Sequence, residues 1–331
     1  MKILVTGGAG YIGSFMVKRL LEDKHEVVIL DSLERGHKEA IDPRAILKVG
    51  NLLDEKFLGE TLSSNKFDAI IHFAGYISMA ESMEKPEMYF RNNTFATLKL
   101  LEKAKSHSID KFIFSSTAGI YGNPVQVPIL ENSAKTPENP YGESKLMVEN
   151  ILKWFQRIHG VNFVSLRYFN ACGASLDGAM GEDHDPETHI IPNAIKAALA
   201  YKPFTLYGND YNTKDGTCVR DYIHVLDLIE AHMLALQKLI KEQGGFYYNV
   251  GTGNGFSNKE VLDLVKQISG IDFQVEIGQR RPGDADSLIA DATNITKELN
   301  FMPKYSDRET IISTAWQWHE KKSKIKNQKS K

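Results

Sequence analysis

The chain has little of several things that would announce a class. Only two cysteines, Cys172 and Cys218, occur in 331 residues. No disulfide framework and no four-ligand zinc site is therefore expected, and no metal is assigned. Charge of neither sign dominates, since 40 Lys and Arg face 42 Asp and Glu for a formal net charge of −2. That removes a general pull toward nucleic acid or anionic membrane. Long hydrophobic runs are missing too: stretches such as Asp68-Ala-Ile-Ile-His-Phe-Ala74 fall far short of the ~20 residues a membrane helix needs. The first residues open a core strand at once, leaving no room for a signal peptide, and a reducing, cytoplasmic setting fits best. There is no internal repeat, and no low-complexity segment apart from the Lys-rich end at 321–331. That end reads as a basic arm or, better, a frayed, disordered tail.

What is present begins at the N-terminus. Lys2-Ile-Leu-Val-Thr6 is a short apolar run of strand formers. It is followed by Gly7-Gly-Ala-Gly10-Tyr-Ile-Gly13 and by a helical stretch from Ser14 to Leu21. Strand, glycine turn and helix in this order is the context of a dinucleotide fingerprint. Glycines let the backbone approach a pyrophosphate, and the first N–H groups of the helix face its charge. A second strand, Glu26–Leu30, ends at Asp31, about 20 residues past the glycines. A carboxylate there accepts from a ribose 2′-hydroxyl and repels a 2′-phosphate, which favours NAD, while nearby Arg35 keeps NADP open.

Further strands are expected at Ala45–Val49, Asp68–Phe73, Lys111–Ser116 and Val161–Phe169. Helices are expected at Asp54–Ser64, Pro86–His107 and Tyr141–His159. Alternation with continuously apolar strands predicts an α/β fold, a Rossmann-type, doubly wound parallel sheet. Beyond about residue 170 the pattern loosens into shorter elements separated by turns. This suggests a nucleotide domain over 1–170, with later segments able to return to it. A smaller α/β substrate-binding region over 171–320 would cap the carboxyl ends of the strands.

Tyr141-Gly-Glu-Ser-Lys145 puts a phenol and an ammonium one helical turn apart, on one face. A cation beside a phenol favours the phenolate and lowers its pKa, which would make Tyr141 a proton acceptor and donor near neutrality. The spacing alone is common on exposed helices. What raises its meaning is the strand Phe112-Ile-Phe-Ser115-Ser116-Thr117 upstream, whose hydroxyls fall at its carboxyl end.

These residues carry a resemblance. Thr6-Gly-Gly-Ala-Gly-Tyr-Ile-Gly-Ser14, Asp31-Ser-Leu-Glu-Arg-Gly-His37, Ser115-Ser-Thr-Ala-Gly-Ile-Tyr-Gly122 and Tyr141-Gly-Glu-Ser-Lys145 resemble the extended short-chain dehydrogenase/reductase family. Leu166-Arg-Tyr-Phe-Asn-Ala171, Asp215-Gly-Thr-Cys-Val-Arg-Asp-Tyr-Ile-His-Val225 and Arg280-Arg-Pro-Gly-Asp284 narrow it to the sugar-nucleotide 4-epimerases, over roughly residues 1–320. The resemblance implies interconversion of UDP-glucose and UDP-galactose through a transient 4-keto sugar, with tightly held NAD, in a homodimer. Its catalytic residues would be Tyr141, Lys145, Thr117 and Ser115. It assigns the cofactor to Gly7, Gly10, Tyr11, Ile12 and Gly13, and to Asp31, Ser32, Arg35 and Gly36. Asn51, Leu52, Phe73, Ala74, Gly75, Asn92, Tyr168 and Phe169 complete that set, together with Thr117, Tyr141 and Lys145. The UDP-sugar would meet Asn170, His189, Ile190, Thr205, Leu206 and Tyr207, then Arg220, Arg281, Asp284 and Leu288. The dimer contact would use Leu98, Leu101, Ile151 and Phe155, or these would face the core.

Some positions depart from the family pattern. Asn51 stands where an Asp is usual beside the adenine, Ile77 where some members carry Lys, His189 where some place Asn, and Thr117 replaces a Ser. A dehydratase would need an acid–base pair after Thr117, where this chain has Ala118-Gly119. Epimerases of UDP-N-acetylhexosamines, UDP-glucuronate or UDP-pentoses stay open. Leu288 sits where an aromatic favours unsubstituted hexoses and a small residue admits N-acetyl groups. A non-catalytic NAD sensor would need neither the Tyr–Lys pair nor its hydroxyl partners.

Overall fold

The computed structural model describes residues 1–281 and 284–329, with backbone only for 326–329. Seven parallel strands form the main sheet: β1 (Lys2–Thr6), β2 (Glu26–Asp31), β3 (Ile46–Val49), β4 (Ala69–His72), β5 (Lys111–Thr117), β6 (Asn162–Tyr168) and a strand at Gly245–Val250. The last is β10 once three strands of the distal layer are numbered: β7 (Asn170–Cys172), β8 (Phe204–Tyr207) and β9 (Val219–His224). The order across the sheet is β10-β6-β5-β4-β1-β2-β3. The chain reverses direction across the sheet between β1 and β4, the crevice where such sheets bind ligands.

The doubly wound sheet is buried on both faces. One face packs the helices Tyr11–Glu22 and Val225–Lys241 through Phe15, Met16, Leu20, Leu228 and Leu236. The other takes the helices Glu55–Ser63, Ala96–Ser106 and Pro140–His159 through Leu58, Leu100, Val148 and Leu152. Each such side chain contributes about 1.5–3 kcal/mol of burial. A second layer gathers at the carboxyl end of the sheet. There β9 pairs with β7, with β11 (Gly255–Ser257) and with β13 (Ser287–Leu288), while β8 pairs with β12 (Val275–Gly278).

The structure differs from the sequence reading in three places. Helix 86–107 is not uniform: a widened turn at Phe90–Phe95 separates Pro86–Tyr89 from Ala96–Ser106. The sheet also gains its edge strand from Gly245–Val250, paired in register with β6. In place of a disordered tail from 321, the helix Arg308–Lys329 continues to Lys329. Lys322 pairs there with Asp183, and Lys324 with Glu320 at 3.0 Å. Of the Arg280–Asp284 string, Pro282 and Gly283 lie outside the described residues, as do Ser330 and Lys331.

Candidate active site

The carboxyl end of β5 delivers three hydroxyls, and strand alternation sorts them. Ser115 and Thr117 share one face, where Ser115 Oγ bonds the Tyr168 hydroxyl and Thr117 bonds Tyr141. Ser116 points to the other face and donates to Glu149 Oε1 at 2.7 Å. The Pro140–His159 helix starts where Asn139 accepts from the Gly142 N–H at 2.9 Å, with Pro140 in its first position, a favoured N-terminus. Gly142 lies so close to the turn after Thr117 that a Cβ would stand 2.6 Å from the Gly119 carbonyl oxygen. That approach brings Tyr141 to Thr117. One turn later, Lys145 Nζ donates to the Ser115 carbonyl at 3.0 Å and lies 5.0 Å from the centre of the Phe114 ring.

Tyr141, Lys145, Thr117 and Ser115 are all less than one-tenth exposed. The electrostatics depart from the sequence expectation. Burial pushes the Tyr141 phenol above its ordinary value of 10.0, and the Thr117 hydrogen bond only partly offsets this. Burial lowers Lys145 to about 8. The lowering by Lys145 expected from the sequence is thus not seen in the chain alone, where burial is the larger influence on the phenol and Thr117 the smaller, opposing one. Desolvation disfavours the charged form of both groups.

Opposite this cluster stands the glycine turn. Gly7 has φ +73°, and a Cβ on it would stand 2.6 Å from the Ala74 nitrogen; one on Gly13 would collide with the Gly7 carbonyl. The helix then begins at Tyr11, with Gly10 as its cap. Ile12 is half-buried, and the Tyr11 hydroxyl donates to the Gly173 carbonyl at 2.7 Å. Phe73 and Ala74 donate to the Thr6 carbonyl, so the 73–75 turn lies directly beside the glycines. Gly75 sits near Lys145 as well: a Cβ there would be 3.3 Å from Nζ. Asp31 ends β2, 8% exposed, and accepts from the Ala9 and Leu33 N–H groups at 2.9 and 2.8 Å.

A cradle closed to any Cβ, a helix N-terminus above it and a carboxylate at the end of the next strand fit a dinucleotide. Ser32 and Gly36 lie on the loop over the turn, where the His37 N–H donates to Ala9. Arg35 faces elsewhere, pairing with Glu81 at 3.0 Å beneath the Tyr76 ring. That engagement favours NAD over NADP. Asn51 is exposed and turns its side chain onto the Leu53 N–H, while Leu52 and Phe169 are buried. Asn92 is half-buried and donates to Asn93.

The predicted substrate residues fall in the second layer. Arg220 and Leu288 are directly paired in register on β9 and β13. Arg220 lies 3.6 Å from Asp284 and donates to the Ala285 carbonyl. Asn170 donates to the Asp221 carbonyl at 3.0 Å. Arg281 stacks over Tyr207, 4.1 Å from the ring centre, with Leu206 buried and Thr205 exposed on the same strand. Leu288 packs with Ala118, Tyr121 and Phe169, at the border between the two layers. His189 and Ile190 open the Ile190–Ala200 helix, and His189 turns its Nδ1 to Glu182. With Asn170, they line one small cavity.

The sequence profile of the NAD dependent epimerase/dehydratase family matches residues 3–251. The chain belongs to that family. It is 45% identical over 320 residues to the UDP-glucose 4-epimerase of Lactobacillus helveticus, covering 96% of this chain and 97% of that one. It also superimposes on the UDP-glucose 4-epimerase of Bifidobacterium longum in complex with NAD+ and UDP. That match has a TM-score of 0.93 at 36% identity, covering 98% of this chain and 99% of the other. The UDP-Glc/GlcNAc 4-epimerase of Campylobacter jejuni matches with a TM-score of 0.85 at 41% identity, over 97% and 99% of the two chains.

In this member of the family several positioning residues escaped the sequence reading. Glu149, four residues beyond Lys145, accepts from Ser116, Ser165 and Arg167 Nε at 2.7–2.9 Å, and Arg167 Nη2 bonds its second oxygen at 2.7 Å. The pair is almost wholly buried and fixes the helix register against β5 and β6. The same four-residue spacing that singled out Tyr141 and Lys145 could have found it. Asn93, in the widened turn, bonds both the N–H and carbonyl of Tyr76 and donates to Ser144 at 3.1 Å. Asp221 is fully buried and accepts from the Thr252, Gly253 and Ala290 N–H groups, tying the 251–255 turn to β9.

Proposed function

We propose that this chain interconverts UDP-glucose and UDP-galactose by NAD-dependent inversion at C4, passing through a 4-keto sugar. The observation that carries this is the convergence of Tyr141, Thr117 and Lys145, all buried, at the strand end facing the glycine turn. NAD, when bound, accepts the C4 hydride and returns it. Tyr141 removes the proton of the 4-hydroxyl and later restores it, and Thr117 passes the hydrogen bond between sugar and phenol. Lys145 supplies the positive charge that a phenolate needs once it forms, while Ser115 and Tyr168 shape the wall beside it.

Because the sugar must present both faces to the same wall, binding energy has to come from the nucleotide. Arg220 and Arg281 are suited to the diphosphate by their forked donors. Asp284 would accept from ribose hydroxyls, Asn170 and His189 would meet the diphosphate, and Thr205–Tyr207 would flank the base. A role in galactose metabolism follows from this substrate pair.

Purified protein given UDP-galactose without added NAD should form UDP-glucose, and its bound cofactor should become partly reduced on mixing. No inversion of either hexose nucleotide would overturn the reading. Inversion of a UDP-N-acetylhexosamine at equal rate would widen the specificity without changing the mechanism.

A homodimer is supported by an apolar stripe on the Pro140–His159 helix: Met147, Trp154 and Ile158 are 38%, 58% and 67% exposed. Phe95 stands exposed at the start of the neighbouring helix. Ile151 and Phe155 border this stripe, whereas Leu101 is fully buried in the core. Light scattering giving a monomer mass at micromolar protein would contradict the dimer. A cytoplasmic setting is in keeping with two free cysteines; among the described residues no helix is long and apolar enough to cross a membrane.

A further inference from the structure

Between β7 and the Ile190–Ala200 helix the chain runs as a strap, residues 173–189. It lies against the glycine turn through the Tyr11 hydroxyl and against the 32–37 loop through His37, whose Nε2 donates to the Asp183 carbonyl at 2.9 Å. Four side chains of this strap converge. The donor atoms of Glu182, His184, Glu187 and His189 all lie within 4.8 Å of one another. Both histidines turn Nδ1 inward. His184 Nδ1 is 3.1 Å from Glu182 Oε1 and 3.8 Å from Glu187 Oε1; His189 Nδ1 touches the same Glu182 oxygen and is 3.8 Å from Glu187 Oε1.

We infer that these four residues form a tetrahedral site for a divalent zinc-like cation that fixes the fold of the strap's own 182–189 segment, beside the cofactor end of the molecule. The carboxylates are the first reason. Their side chains are only 5% and 4% exposed, and two adjacent buried anions require compensation. A dication bound by two neutral imidazoles and two carboxylates leaves the set uncharged. Spacing is the second reason. Zinc bonds of about 2.0–2.1 Å place tetrahedral ligands about 3.3 Å apart; the His184 separations of 3.1 and 3.8 Å lie either side of this, while His189 and Glu182 lie closer and would part on binding.

The surrounding groups orient the ligands, as metal sites require. Glu187 Oε1 accepts from the Thr188 and His189 N–H groups, and Lys196 lies 3.4 Å from its other oxygen. Trp318 Nε1 donates to the Glu182 carbonyl at 3.0 Å. A cavity of about 30 Å³, roughly one water in size, is lined by Glu182 and His189. The competing arrangement keeps both imidazoles protonated, with rings 5.5 Å apart and both Nδ1 protons directed at one carboxylate. Counting cysteines overlooks either arrangement, because the ligand set has none.

The test uses tag-free, full-length protein stripped with a chelator and titrated with zinc chloride. Stoichiometric binding, with a rise in the thermal midpoint, is expected. Glu187→Gln and His184→Asn should each weaken it at least about 100-fold, the upper end of losses seen even beyond the ligand shell. Both variants should keep wild-type circular dichroism and NAD content at low zinc. Absent or non-saturable binding by the wild type, or unchanged affinity in both variants, would overturn the site. Should the variants fail to fold, cobalt(II) loading of the wild type decides. Intense visible bands of tetrahedral cobalt support the site, and a weak octahedral spectrum refutes it.

Discussion

The two walls of the active site are held in opposite ways. On the sheet side Tyr141, Lys145, Ser115 and Thr117 are nearly sealed from solvent, and their helix is anchored by the buried Glu149–Arg167 pair. Across the site Tyr207 is 40% exposed, the exposed Arg281 rests on it by stacking, and Asp284 meets Arg220 at 3.6 Å. The first wall holds its side chains in one fixed, buried arrangement. The second carries the proposed diphosphate partners, with Arg220 mostly buried on backbone carbonyls and Arg281 exposed over Tyr207. The proposed chemistry asks for this division, since the reacting wall must stay still while the sugar turns and the nucleotide stays bound.

The largest expected effect breaks the first wall chemically without disturbing its packing. Tyr141→Phe removes one oxygen and should lower kcat by about 10²–10⁴, the range for a lost acid–base group. Its thermal midpoint and NAD content should match the wild type. Next comes the anchor. Glu149→Gln leaves the Arg167 charge buried without its counterion and should cost about 3–5 kcal/mol in urea unfolding. A cost near zero would mean that the pair does not organise this wall.

Acid should destabilise the fold through histidines buried in both layers. Burial lowers His72 to about 3 and His224, His232 and His319 to about 4, from 6.5. The unfolded chain binds these protons first, so stability is full above pH 6.5 and falls as pH drops through the window from 6.5 toward 4. Without a bound cation, His184, raised to about 10, and His189 act in the opposite sense, contributing fully below 6.5 and losing stability as pH rises above it. Between pH 6.5 and 5 they offset only a small part of the acid-side loss. The stability lost by pH 5 should be about 4–6 kcal/mol, since each tenfold difference in proton affinity between the folded and unfolded chain is worth about 1.4 kcal/mol. A flat profile between pH 6.5 and 5 would contradict the burial of neutral histidines.

The smallest effect belongs to the second wall. Arg281→Ala should raise KM for the sugar nucleotide about tenfold, near 1.4 kcal/mol, and leave kcat nearly unchanged. A matching fall in kcat would show that this wall takes part in the chemistry, and the contrast between the walls would be lost.

Much of the first wall was legible because its signals are local. Glycines at 7, 10 and 13 followed by Asp31, and a phenol four residues before a lysine, are read within one βαβ unit or one helical turn. The same logic extends to Glu149, but its meaning depends on Arg167, a charge in an apolar strand that only the sheet pairing explains. The β10 strand carries a local signal in Phe246, Tyr247, Tyr248 and Val250, but its place at the sheet edge depends on pairing with β6 some 80 residues earlier. The upward push on the Tyr141 phenol in the chain alone comes from burial, which a four-residue spacing does not report. The strap cluster falls within eight residues, Glu182 to His189, and judging metal ligation from the cysteines alone leaves it unread.

The central claim is that the hydrogen leaving C4 is the one that returns. UDP-galactose carrying deuterium at C4 should give UDP-glucose with the label kept at C4, in ordinary water and without added NAD. Loss of the label to solvent, or inversion with solvent hydrogen at that carbon, would contradict the account.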